Sequence, residues 1–155
     1  MSVTFESVRF GTVQVEEQEV YEFPFGLIGL GGTRYAVLDR NPGSGFFWLH
    51  CVEDPALALP IVRPALFFPD FALELAAADR ERVAIPDPAA ADLYVTVRAA
   101  SDPLQTTANL RAPILLWEGR GYQVLNEHQP APLQAPLFEL AQEPAGQTVG
   151  SADAA

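Results

Sequence analysis

The stretch FFWLHCVEDPALALPIVRPALFFPDF, residues 46–71, concentrates the residues that decide the fold. It contains five of the ten Phe, one of the two Trp, one of the two His, the single Cys and four Pro. Because side chains alternate between the two faces of a strand, residues 46–53 divide into two sets. These sets are Phe46, Trp48, His50 and Val52 on one face, and Phe47, Leu49, Cys51 and Glu53 on the other. Both faces are largely apolar, so one belongs to the core and the other is either covered by a second layer or faces a partner.

Two features of the same stretch bear on its edges. Glu53 and Asp54 precede Pro55, a pattern typical of a strand that runs into a turn, although an acidic contact surface there is also open. Pro60 interrupts the apolar run LALPIV, residues 57–62, and proline is tolerated mainly on edge strands because it has no N–H. We therefore predict an edge strand at Pro60, which would be a docking site.

The rest of the chain shows the same period-two pattern, as in TVQVE (residues 12–16) and LYVTVRA (residues 93–99). One Ala-rich segment instead predicts a short helix over 76–83. The predicted strands are 3–8, 12–16, 18–23, 34–39, 46–53, 57–62, 93–99, 112–117 and 122–126. Evenly spaced short strands indicate an all-β fold, a small antiparallel β-barrel-like or sandwich domain with one short helix. We predict a single domain over 1–140 and a disordered tail over 141–155, AQEPAGQTVGSADAA, which offers little apolar surface to bury.

Charge limits the possible partners. Nine Arg and no Lys oppose twenty carboxylates, which gives a net charge of -11. Affinity for a phosphate backbone comes from cationic side chains, so we expect no direct nucleic-acid binding and favour a basic protein partner. We also expect no membrane association and a cytoplasmic location, because no apolar run is long enough to span a bilayer and the N-terminus lacks a signal-peptide pattern. The densest acidic cluster is Glu16, Glu17, Glu19 and Glu22, predicted on a turn and the following strand.

The sequence contains few of the residue patterns that are typical of catalytic sites. His50 and Cys51 point to opposite faces of a strand, and the other His, His128, is distant in sequence, so a metal site is not predicted. Ser44 lacks the nucleophile-elbow spacing. The Gly-rich segment GLIGLGG, residues 26–32, lacks the Lys-Ser/Thr of a P-loop and the third Gly of a dinucleotide fingerprint, so it is interpreted as a loop with positive φ. We expect neither enzymatic activity nor a cofactor.

Five separate blocks of the sequence form one pattern. In chain order, the blocks are FPFGLIGL (23–30), FFWLHCVEDPALAL (46–59), RPALFFPDFALEL (63–75), ASDPLQTTANLRAPILLW (100–117) and GYQVLNE (121–127). Together they resemble the FliW family of flagellar assembly factors. The resemblance covers roughly residues 3–128. The chain differs from the usual family pattern at Phe25, where an acidic residue is common, and at His50 and Cys51, where polar residues are common.

The resemblance implies a small antiparallel β-barrel-like fold without enzymatic activity. It also implies two partners, flagellin and CsrA, the RNA-binding translational repressor of flagellin synthesis. Members of the family block RNA binding by CsrA from a site distinct from its RNA groove, and flagellin occupies the factor when it is abundant. We expect a monomer when it is free. The candidate partner-binding residues in the matched blocks are Glu53, Asp54, Pro55, Phe67, Phe68, Pro69, Asp70 and Asn109. A different class remains open, a small β-barrel carrier that encloses an apolar ligand among the aromatic side chains.

Overall fold

The structure is a computed structural model that describes residues 1–83, 85–87, 90–128 and 131–137. The predicted tail, 141–155, and residues 138–140 of the predicted domain lie outside this range. The strands are β1 (Ser2–Ser7), β2 (Gly11–Glu16), β3 (Val20–Glu22), β4 (Arg34–Leu38), β5 (Phe46–Cys51), β6 (Ala58–Val62), β7 (Asp92–Arg98), β8 (Thr107–Ala108), β9 (Ile114–Trp117), β10 (Arg120–Gln123) and β11 (Ala135–Pro136). One helix, α1 (Ala77–Arg82), and 3₁₀ turns at Glu17–Glu19, Pro64–Leu66 and Pro103–Gln105 complete the described elements.

Seven strands close into a barrel in the order β3-β4-β5-β6-β7-β9-β10. Neighbouring strands are antiparallel, except where β10 meets β3 in parallel through the single pair Arg120 and Glu22. β8 pairs with the end of β7, and β11 pairs with β8. The prediction of a small, mainly antiparallel β-barrel with one short helix is therefore confirmed. Among the described residues, no helix has the length and apolar composition needed to cross a bilayer.

Large side chains fill the barrel interior. Phe23, Tyr35, Leu49, Ile61 and Ile114 are fully buried and belong to one core cluster. Phe23 directly follows β3, and the other four come from β4, β5, β6 and β9. An interior packed in this way disfavours the carrier hypothesis, which needs empty space inside the barrel.

The second face of β5 is covered by another layer of the protein. The β1–β2 hairpin forms a separate two-stranded sheet whose apolar side chains pack on this face. Phe10 meets Trp48 edge to face at 5.6 Å between ring centroids, and Phe5 lies 5.0 Å from the ring of His50. Of the two alternatives that the sequence left open, a covering layer is therefore the correct one.

Pro60 does not mark an edge strand, so that prediction is wrong for the strand as a whole. β6 pairs with β5 along its full length and with β7 at Ile61 and Val62. The barrel tolerates Pro60 because β7 leaves β6 beyond Thr96 and pairs with β8 instead. The first three residues of β6 therefore have a neighbour on one side only, and the missing N–H breaks no ladder.

The Gly-rich loop is also explained. Gly26, Gly29 and Gly32 have φ values of 69°, 77° and 82°, as the sequence predicted for a loop with positive φ. At Gly32 a Cβ would lie 2.6 Å from Cys51 Sγ, so the loop also packs too closely on β5 to accept a side chain there.

Candidate functional site

The turn after β5 holds three of the predicted contact residues, and Glu53 has a structural role in it. One carboxylate oxygen accepts hydrogen bonds from the backbone N–H groups of Thr33 at 2.8 Å and Arg34 at 3.3 Å. These donors hold the pKa of Glu53 below its ordinary value of 4.5. The side chain is exposed, so it remains accessible to a partner while it fixes the start of β4.

This pKa shift predicts an acid-dependent loss of stability. Because the folded-state pKa is lowered, the contribution of Glu53 is present above the unfolded pKa and disappears as pH falls through the folded pKa. We expect the melting temperature of Glu53→Gln to fall less steeply than that of the wild type as the pH is lowered below 4.5, the ordinary pKa of this carboxyl group. The matched control is Glu74→Gln, at an exposed carboxylate that accepts no hydrogen bond from the described residues. If the melting temperatures of the wild type and Glu53→Gln fall equally steeply with pH in that acid range, the stabilising role of the Glu53 carboxylate is contradicted.

Asp54 and Pro55 form the exposed corner between β5 and β6. Asp54 Oδ1 accepts the N–H of Ala56 at 3.0 Å, which closes a local turn. The carbonyl oxygen of Pro55 accepts the N–H of Val8 at 2.8 Å, so the corner also anchors the β1–β2 hairpin. The turn interpretation is confirmed, and the exposed carboxylate of Asp54 remains a candidate contact.

The second predicted group lies at the other end of β5 and β6. Phe67 and Phe68 are half-buried, and Phe67 meets Phe46 edge to face at 5.5 Å. Pro69 and Asp70 are exposed. Since β5 advances roughly 3.3 Å per residue, the two groups are about 17 Å apart along the strand. They form two separate candidate surfaces, and one partner would have to be large to touch both.

Asn109 belongs to neither group. Its Oδ1 accepts N–H groups from Arg111 at 3.0 Å and Ala112 at 3.2 Å, while its own N–H donates to the carbonyl oxygen of Thr96. It therefore caps the turn between β8 and β9 and fixes that turn against β7. Only its half-buried side chain remains for a partner contact.

All four residues of the acidic cluster are exposed. Glu16 ends β2, Glu17 and Glu19 lie in the 3₁₀ turn, and Glu22 ends β3, all of them exposed. Glu118 joins them, because it lines the same shallow cleft as Glu17 in the turn between β9 and β10. We call these five residues the acidic surface. The position of Glu118 could not be predicted, because it is 96 positions from Glu22 in the sequence. The Glu22 N–H donates a hydrogen bond to the carbonyl oxygen of Gly119, which holds Glu118 near β3.

The electrostatic effect of this region is visible at Tyr21. Burial raises the pKa of its phenol, and the negative charges of Asp92 and Glu19 raise the pKa further. Arg63 opposes them and lies 3.5 Å from Asp92. At Tyr21 each of these two carboxylates therefore acts more strongly on the pKa than the neighbouring Arg63 does.

Two of the three departures from the family pattern are internal. His50 is fully buried, with Nδ1 donating to the carbonyl oxygen of Cys51 and Nε2 accepting from the Ser7 hydroxyl, both at 2.8 Å. Cys51 is fully buried and burial raises the pKa of its thiol. Within the described residues no group of three His, Cys, Asp or Glu side chains is placed to hold a metal. Phe25 is 61% exposed and lies under the guanidinium of Arg82, so this departure changes the surface.

Comparison with known proteins agrees with this geometry. The profile of the FliW protein family matches residues 4–137. The chain is 33% identical to the flagellar assembly factor FliW of Geobacter sulfurreducens over 143 residues, 91% of this chain and 89% of that protein. It is 28% identical to the FliW of Leptospira biflexa over 153 residues, 96% of this chain and 100% of that protein. A crystal structure of a flagellar assembly factor FliW superposes with a TM-score of 0.77 at 26% identity, covering 88% of this chain and 98% of that one. The chain therefore belongs to the FliW family of flagellar assembly factors.

Proposed function

We propose that this flagellar assembly factor binds the translational regulator CsrA and flagellin, and that it antagonises RNA binding by CsrA without occupying the RNA groove. The family match over residues 4–137 is the observation that carries the proposal. Flagellin and CsrA then compete for the free factor, so that translation of flagellin follows its concentration. The protein itself acts as a monomer in the cytoplasm and touches no RNA directly.

The charge distribution supports the antagonism. The net charge is -11, and all five carboxylates of the acidic surface are exposed. A surface of this kind repels phosphates. The repulsion is local, because the Debye length is about 8 Å at physiological salt. The acidic surface must therefore lie close to the RNA path in the complex with CsrA.

Calorimetric titration of the purified protein tests the two partners separately. We expect a saturable complex with the flagellin and with the CsrA of the same organism. Two variants distinguish the candidate surfaces. Asp54→Asn changes the corner between β5 and β6, and Asp70→Asn changes the opposite end of these strands. Asn keeps the acceptor that Asp54 offers to Ala56, so the turn is preserved. Absence of binding to both folded partners would refute the proposal.

Neutralising the acidic cluster should show whether it contacts CsrA or repels the RNA. We expect the variant with Gln at Glu16, Glu17, Glu19 and Glu22 to keep its affinity for CsrA but to displace RNA less effectively, because size is preserved and charge is removed. Affinity for CsrA and displacement of labelled RNA are measured separately at fixed salt. Unchanged displacement would show that this cluster is not the repelling surface. A loss of CsrA affinity alone would show that the cluster is a contact.

A further inference from the structure

Four exposed apolar side chains lie along one groove. Ile28, Leu30, Leu125 and Leu133 are 64%, 37%, 49% and 56% exposed, and all four line the groove, whose volume is about 680 Å³. Single exposed apolar residues are ordinary on a soluble protein, but a contiguous set marks a surface that another molecule covers. The groove lies beside Leu59, where the first residues of β6 have lost β7 as a neighbour.

The charge of the groove is opposite to that of the protein. Its described lining includes Arg98 and Arg111 and contains neither Asp nor Glu, although the chain carries a net charge of -11. Both arginines are exposed, and neither forms an ion pair with another described residue. Arg111 Nε donates to the carbonyl oxygen of Ala131 at 3.2 Å, which orients the guanidinium in advance. A ligand that combines apolar groups with carboxylates is therefore complementary to this surface.

The backbone at the groove argues against strand addition. Cys51 N–H donates to the carbonyl oxygen of Leu57, so alternate residues of β6 direct their backbone groups toward β5. Ala58 and Pro60 direct theirs the other way, toward the open side, and Pro60 has no N–H to offer there. Strand addition would therefore lack a hydrogen bond at Pro60, whereas an amphipathic helix binds in an apolar groove through side-chain contacts.

We propose that this groove binds an acidic amphipathic segment of a partner protein, with its apolar side chains on Ile28, Leu125 and Leu133 and its carboxylates on Arg98 and Arg111. The proposal names the chemistry of the occupant and not its source, so it does not depend on which protein supplies the segment. The apolar side chains are half exposed along an open groove, so they suit a macromolecule better than a small enclosed ligand.

Fluorescence anisotropy with a labelled synthetic helical peptide, Leu on one face and Glu on the other, tests this site in the full chain. We expect Arg98→Gln/Arg111→Gln to weaken binding of the Glu peptide about tenfold, because charge-assisted hydrogen bonds are lost. The same variant should bind a twin peptide with Gln in place of Glu as the wild type does. Ile28→Ser/Leu133→Ser should weaken both peptides.

Matched controls lie elsewhere on the surface. Leu66→Ser changes a side chain that is 63% exposed but does not line the groove, and Arg120→Gln changes an exposed arginine outside it, so both should bind like the wild type. Melting curves check that every variant is folded. The proposal fails if the Glu peptide does not bind, if the groove variants bind it as the wild type does, or if the Gln peptide binds equally well. It also fails if laurate binds at the groove and the Glu peptide does not displace it, which would indicate a small-ligand site.

Discussion

Replacing Asn126 by Ala should lower the free energy of unfolding by about 3–4 kcal/mol, because several buried hydrogen bonds are lost at once. The side chain is 5% exposed. Its Oδ1 accepts the N–H groups of Glu74 at 2.9 Å and His128 at 3.0 Å. Its Nδ2 donates to the carbonyl oxygens of Ala72 at 2.9 Å and Leu110 at 3.3 Å. One amide therefore ties three distant segments together, and Ala leaves their backbone groups without partners.

Urea unfolding monitored by tryptophan fluorescence measures this loss. The control is Asn41→Ala, at an exposed asparagine whose change should stay within about 0.5 kcal/mol of the wild type. If Asn126→Ala is as stable as Asn41→Ala, the segment around Glu74 does not depend on Asn126. That result would contradict the described packing.

Replacing Gly121 by Ala should destabilise the barrel by about 3 kcal/mol, since overpacking a filled core forces side chains out of their rotamers. A Cβ at Gly121 would lie 2.4–2.7 Å from three ring atoms of Phe23. Phe23 is fully buried and meets Tyr35 edge to face at 5.4 Å, so its ring has no free space to enter. The larger Gly121→Val should prevent folding under conditions in which the wild type is stable.

Thermal unfolding of Gly121→Ala is compared with Gly31→Ala, whose added Cβ would meet no atom within 4 Å. The double variant with Phe23→Leu should recover part of the lost stability, because the smaller side chain makes room for the new methyl group. Equal melting temperatures for the two single Gly variants, or no recovery in the double variant, would contradict the described contact.

Much of the fold could be predicted because apolar alternation is a local property. Strand β7 carries it over seven residues, and the predicted strand 93–99 overlaps it almost completely. β8 and β11 are two residues each, too short for any pattern, and they exist only because β7 leaves β6. Closure of the barrel also has no local signature, since it depends on the single parallel pair between Glu22 and Arg120. The prediction at Pro60 was wrong for a related reason. A local opening inside a barrel and a true edge strand both provide a position where no N–H is needed, so the sequence cannot distinguish them.

The candidate surfaces also combine residues that are close in sequence with residues that meet only in the folded barrel. The four neighbouring glutamates of the acidic surface are close in sequence and could be recognised from it. Glu118 joins them only through tertiary contacts of β3. The apolar groove was not predicted, because Ile28, Leu59, Arg98 and Leu133 come from separate segments that meet only in the folded barrel. The turn at Glu53 could be predicted, but its hydrogen bonds to the start of β4 could not.

The most direct test of the proposed function follows the anisotropy of a labelled flagellin leader RNA bound to CsrA. Addition of this protein should release the RNA, and subsequent addition of flagellin should restore the RNA complex by removing the factor from CsrA. At increasing RNA concentration the effect should persist, because the factor acts outside the RNA groove. Anisotropy that stays constant while CsrA is active and this protein is folded would contradict the central claim.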